Sequence, residues 1–138
     1  MRKMSVADGK RYVFKTHIND MVLPREQAEV LEAFNVVIEP GKYTHLHTHI
    51  GNEQIYFVTA GKGKAHFSFP DGHVEDFDMA PGNVVYIPRN TEHQIFCMSK
   101  TEPLMYFCVD GFVDRSTEKP TWDEHYQATM ARLRAEDK

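Results

Sequence analysis

Three histidines fall within the five residues "HLHTH": His45, His47 and His49, at every second position. An extended chain turns alternate side chains to one face, so a strand here aims the three imidazoles together. A pair of histidines on a strand is ordinarily explained by local hydrogen bonds. Three on one face, with a fourth, His93, in the later stretch "HQIFCM", point instead to a shared ligand. Neutral imidazole binds Zn, Ni, Mn, Fe or Cu, and a rigid strand can hold several nitrogens at coordinating distance. Just after His49, "EQIYFV" offers an oxygen donor in Glu53 or Gln54. Strand alternation sets Gln54, Tyr56 and Val58 on one face and Glu53, Ile55 and Phe57 on the other.

Other chemistry-bearing residues are weaker. His66, Tyr56 and Tyr86 are candidates for lining a pocket, although aromatic residues in strands more often serve packing. His73 lies in an expected turn and His125 on an expected helix, both read as solvated, and His17 falls outside every motif. Cys97 and Cys108 have no neighbouring base and no CxxC spacing, so they read as buried, reduced thiols.

Short strands must carry these residues. From 32 to 111 the chain reads as apolar or alternating runs separated by turn signals. "EAFNVVIE" (32–39) closes at Pro40-Gly41. "YTHLHTH" (43–49), "QIYFVTA" (54–60) and "KAHFSF" (64–69) follow, the last ending in the turn "PDGH". A weaker strand (74–78), "VVYI" (84–87), "HQIFCM" (93–98) and "LMYFCVD" (104–110) complete the set. The last two are expected to pair as a hairpin across "SKTEP", in a register that sets Cys97 and Cys108 on opposite faces, so no disulfide is expected. Residues 1–31 read as an arm packing on the strands or on a partner, with one helical turn in "PREQAEV" (24–30). Residues 112–138 form a C-terminal segment with a helix over 121–134, opened by Thr121 and Glu124 in capping-box spacing. Trp122, Tyr126, Met130 and Leu133 recur at helical spacing as core or interface.

Bulk properties narrow the class. With 138 residues, 41% hydrophobic and 26% charged, the chain has the size and composition of one globular domain. A net charge of −4, with Lys and Arg scattered, supplies no basic footprint for nucleic acid. No apolar run approaches a membrane span or a signal-peptide core, and a cytoplasmic protein is expected.

The two histidine segments together resemble the cupin superfamily. Its first motif runs Gly, five residues, His-x-His, three or four residues, Glu, six residues, Gly; Gly41, His47, His49 and Gly61 match it. Its second runs Gly, five residues, Pro-x-Gly, two residues, His, three residues, Asn. Gly82, Pro88 and His93 match, with Asn90 for the second Gly and Cys97 for the final Asn. Asn tolerates the positive φ that Gly would adopt, so Asn90 is a mild departure. The resemblance, spanning about 34 to 110, implies an all-β double-stranded β-helix, a jelly-roll barrel with a divalent metal inside (Zn, Ni, Mn or Fe). The implied ligands are His47, His49, His93 and either Gln54 or Glu53. Spacing favours Gln54, which leaves the six residues the motif expects before Gly61. His45 would be a further ligand or a neighbour of the ligands near the mouth.

Gln in place of Glu would leave the ion's charge less neutralised, which favours Lewis-acid chemistry. The expected function is therefore isomerisation, cyclisation or lyase chemistry on an oxygenated small molecule. An iron- or nickel-dependent dioxygenase and a non-catalytic metabolite-binding module are the alternatives. A homodimer is expected, because Trp122, Tyr126 and Met130 need cover.

Overall fold

Strand β4 (Asn52–Ala60) buries Asn52, Gln54, Tyr56 and Val58 and turns the intervening residues outward, the period-two pattern its sequence dictates. The computed structural model describes residues 1–136, and eight further strands surround β4. They are β1 (Lys10–Val13), β2 (Ile18–Leu23), β3 (Leu31–Ile38), β5 (Gly63–Ser68), β6 (Val74–Met79), β7 (Val84–Ile87), β8 (Glu92–Cys97) and β9 (Leu104–Phe112). One helix, α1 (Trp122–Glu136), follows them. All strand pairs are antiparallel. They form a six-stranded sheet of order β1-β2-β3-β9-β4-β7 and a three-stranded sheet of order β6-β5-β8, facing each other as a jelly-roll barrel.

The interior has two ends of different character. Ile38, Val58, Leu104, Ala65 and Ile95 fill one end without measurable exposure, and full burial of each large one contributes about 2 kcal/mol. At the other end the inward positions become polar: Glu32 on β3, Asp110 on β9 and Gln54 on β4 stand side by side, with Glu32 opposite Asp110 and Asp110 opposite Gln54. Two backbone positions hold the turns that the motifs predicted. Gly61 has φ +87°, and a Cβ there would lie 2.3 Å from the Pro103 carbonyl oxygen, so only glycine fits. Asn90 has φ +61°, as expected of an Asn in a turn-glycine position.

Four expectations are corrected. First, β8 and β9 do not form a hairpin. β8 pairs with β5 and β9 with β3 and β4, so residues 98–103 cross between sheets. Cys97 and Cys108 are both free and buried, but because they lie in different sheets rather than by hairpin register. Second, residues 43–49 are not a regular strand. Isolated bridges, Tyr43 to Phe96 and His47 to His93, and bonds at Thr44, rather than a continuous ladder, tie the segment to β8. Three residues (44–46) on one side oppose two (94 and 95) on the other between those bridges, so an extra residue is bulged. The Thr44 hydroxyl oxygen accepts the Ile95 N–H (2.9 Å) within the bulge. Third, residues 10–23 hold β1 and β2, which extend the larger sheet beside β3; the helical turn expected in "PREQAEV" is present as a 3-10 turn, Arg25–Gln27.

Fourth, α1 folds back on its own chain. Tyr12 packs edge-on against Trp122 (5.9 Å) and Tyr126 (4.9 Å), Phe14 against Tyr126 (5.0 Å), and the Tyr126 hydroxyl donates to the Val13 carbonyl (2.9 Å). Trp122 is only 3% exposed, so this stripe needs no partner to cover it. The Thr121 hydroxyl accepts the Glu124 N–H at 3.1 Å, the capping contact its spacing predicted. Among the described residues, no helix is long and apolar enough to cross a membrane.

Candidate metal centre

His47 and His93 face each other across their bridge, with backbone N–H to carbonyl bonds in both directions (3.1 and 2.8 Å). Their ring centroids are 4.2 Å apart, and His49 completes a triangle at 4.9 Å from His47 and 5.1 Å from His93. One nitrogen from each lies within 4.8 Å of the others. Backbone carbonyls set the tautomers. His47 Nδ1 is 2.8 Å from the His45 oxygen and His93 Nδ1 is 2.9 Å from the Thr91 oxygen. A carbonyl only accepts, so each Nδ1 carries the proton and each Nε2 presents a lone pair. The Nε2 atoms of His49 and His93 are buried with no protein partner. Burial, then the neighbouring imidazoles, hold His47 and His49 well below the ordinary histidine pKa; burial takes His93 to about 4. The rings are therefore neutral at pH 7, the form that ligates. Buried, convergent, unmet lone pairs fit a divalent cation.

Gln54 lines the same cavity, at 3% exposure. Its Nε2 donates to Asp110 Oδ1 (2.6 Å), and its Oε1 accepts from the Tyr56 hydroxyl (2.9 Å), which fixes the amide and leaves one lone pair on Oε1. Glu53 points outward and accepts from the Tyr86 hydroxyl (2.7 Å), which is itself exposed. Glu53 and Tyr86 are thus on the outer face, away from the cavity. His66 is also outside it: its Nδ1 lies 2.6 Å from Asp76 Oδ1 on the outer face of the smaller sheet. Tyr56 and His45 do line the cavity, and the His45 ring lies 5.0 Å from His47. Burial pushes the Cys108 thiol well up, which leaves it a poor nucleophile.

Two histidines join from outside the motifs. His17 stacks on Phe14 (4.5 Å) and stands 6.5 Å from His45. His125 of α1, expected in solvent, lines the cavity. Burial lowers His17 to about 3 and His125 to about 4. Five of the eight histidines thus line one cavity of about 140 Å³, and His93 adjoins it through His47 and His49. The helix could have disclosed its share: His125, Thr129 and Arg132 recur at i, i+4 and i+7, a polar stripe beside the apolar one. His17 carries no comparable signal.

In the cavity lining, Arg25 ties its own turn to two other segments. Its Nε and Nη2 reach the two Glu32 oxygens (2.7 and 3.3 Å), and Nη1 reaches Glu118 (3.3 Å) and the Lys119 carbonyl (3.1 Å). Burial and the Asp110 carboxyl push Glu32 well above the usual carboxylate range, against the pull of Arg25.

The model of the Cupin domain family matches residues 34–110, more than half of the chain. The chain belongs to the cupin family. This cupin is 27% identical over 100 residues to a glucose-6-phosphate isomerase of Thermococcus litoralis, a match covering 67% of this chain and 51% of the isomerase. It is 29% identical over 102 residues to an uncharacterised protein of Methanocaldococcus jannaschii, covering 72% and 77% of the two. Among solved structures, the Bacillus subtilis oxalate decarboxylase with Mn(II) centres superposes with a TM-score of 0.70 at 20% identity, over 81% of this chain and 30% of that one. The cupin chain therefore spans about half of the isomerase and a third of the decarboxylase, and the decarboxylase likeness is one of fold. Phe14, His17, Asn19 of β2 and the four lining residues of α1 lie outside the residues the family model matches.

Proposed function

We propose that this cupin is a metal-dependent enzyme that acts on an oxygenated small molecule by Lewis-acid chemistry, with His47, His49, Gln54 and His93 as the metal ligands. The observation that carries the reading is the cluster of ring nitrogens within 4.8 Å of one another, two of them buried without partners. A divalent ion held there would polarise a substrate oxygen.

The chain's own residues do the rest. Three neutral imidazoles and one neutral amide do not cancel the ion's charge. Asp110 and Tyr56 hold Gln54 from both ends of its amide, so Oε1 cannot turn away. Phe14, Phe34, Val36 and Trp122 in the lining restrict water, which strengthens every electrostatic contact in the cavity. The isomerase relative agrees with chemistry of the isomerisation type. The test is metal analysis of natively purified protein together with oxygen uptake. Zinc, nickel or manganese without oxygen uptake is the expected result; iron with uptake would replace the reading by the dioxygenase.

The reading includes a homodimer, with its surface moved from α1 to the outer face of the larger sheet. There Ile55 pairs with Tyr86 and Phe57 with Val84, and all four are roughly half exposed on and beside edge strand β7. A second copy covering this strip in an isologous contact would bury it and shield the edge. A monomer in sedimentation at micromolar concentration would remove this part. A cytoplasmic setting is supported by the two unpaired thiols.

A further inference from the structure

We infer that the cavity takes a small carboxylate-bearing molecule, a hydroxy or keto acid, whose carboxylate is received by Arg132 of α1 while its other oxygen turns toward His47, His49 and His93. The inference rests on the metal reading above for the second contact only.

Size comes first. A cavity of about 140 Å³ is close to one that holds benzene, so about six non-hydrogen atoms fit inside. A hexose phosphate is far larger than that.

Charge and hydrogen bonding come next. The cavity lining holds two arginines. Arg25 is paired with Glu118 and Glu32 and spends its donors on them and on the Lys119 carbonyl. Arg132 has no carboxylate within ion-pair distance among the described residues; its Nη2 lies 3.3 Å from His45 Nε2, a neutral imidazole. It is exposed while lining the cavity, which places it at the mouth. The one ionisable acid not clasped by an arginine, Asp110, is on the opposite side, bound to Gln54. The cavity is thus acidic at its floor and cationic at its mouth, and an anion enters by the mouth.

Two further donors lining the cavity are buried and unmet: Asn52 Nδ2 and Trp122 Nε1. A carboxylate, with its several lone pairs, supplies acceptors that neither the protein nor a neutral sugar hydroxyl offers as strongly. Asn19 Oδ1 is a buried acceptor without a donor in the same lining, which a ligand hydroxyl would satisfy.

Lactate and lactamide have the same size and hydroxyl group and differ in charge, so they separate the carboxylate contact from shape. Calorimetric titrations of both into wild type, Arg132→Gln and Arg132→Lys would be made on zinc-loaded and on chelator-treated protein. Lactate is expected to bind about tenfold tighter than lactamide in both metal states, the worth of one charge-assisted hydrogen bond. That preference should vanish in Arg132→Gln and survive in part in Arg132→Lys, with metal content unchanged. Equal binding of the two probes, a preference that outlives Arg132→Gln, or no saturable lactate binding would overturn the inference. Native protein that holds no metal but keeps the Arg132-dependent preference would overturn the Lewis-acid reading and leave this one standing.

Discussion

The two faces of β4 invert the usual division of a strand. Its buried side begins with Asn52 and Gln54, while its outer side carries Ile55 and Phe57, each nearly half exposed. An unmet buried amide costs about 1–3 kcal/mol, so Gln54 is tolerable inside only because Asp110 and Tyr56 satisfy it. Apolar residues outside cost little singly, but four adjoining ones form a patch with a use. Function has displaced packing on one face, and the other face takes over part of the apolar surface. Only beyond Tyr56 does β4 resume ordinary behaviour, with Val58 fully buried.

The sharpest way to break this comparison is to remove a ligand from the inner side. His93→Ala should lower metal affinity by about 100-fold or more, measured by competition with a chelator, because ligand loss exceeds the usual cost of losing a ligand's supporting partner. Neighbouring positions on opposite faces give the next contrast. Gln54→Ala should weaken metal binding by about tenfold, whereas Glu53→Ala should leave it unchanged. If Glu53→Ala empties the site and Gln54→Ala keeps its ion, the neutral-ligand argument fails.

Acid titration of metal-free protein probes the inner side in another way. His17 and His125 are held to about 3 and 4 in the fold, against 6.5 when exposed. His17 faces His45, and His125 faces Arg25 and Arg132, so nothing opposite in charge rescues their protonated forms. Between those values the unfolded chain binds more protons, so stability is complete above about pH 6.5 and falls as pH drops toward 4 and then 3. Each histidine costs at most about 1.4 kcal/mol per pH unit across its window. Melting temperature followed from pH 7.5 to 4.5 should show the decline, and a flat profile would mean that these rings are hydrated. On the outer faces, His66→Ala and Tyr86→Phe should change metal content by less than the error of measurement.

Much of this arrangement was legible in the residues. The turn glycines, the paired His motifs and the alternation separating Gln54 from Glu53 all act through local geometry, which a single sequence displays. What escaped depended on distant packing. "KRYV" and "INDMVL" are short and rich in charged or amide residues, so β1 and β2 exist because β3 offers them an edge. The hairpin expected for β8 and β9 failed because adjacency in the chain does not reveal which sheet a strand joins. The apolar stripe of α1 carries no information about its other face, so His125 reads as solvated although it lines the cavity. His66 and Tyr86 are pocket candidates by residue type, although their phase along the strand turns them outward.

The bulged segment between Tyr43 and His47 has a kinetic consequence. A regular strand opens only with its sheet, but this one is held by two isolated bridges, single backbone bonds at Thr44 and His49, and a few side-chain bonds. Segments with so few ladder bonds open locally at much lower free energy than the whole fold. His47 and His49 ride on that segment while His93 sits in the ladder with β5. Amide exchange should therefore find residues 43–49 exchanging well ahead of β4 and β9, and their opening gives an ion a route in and out that leaves the barrel closed.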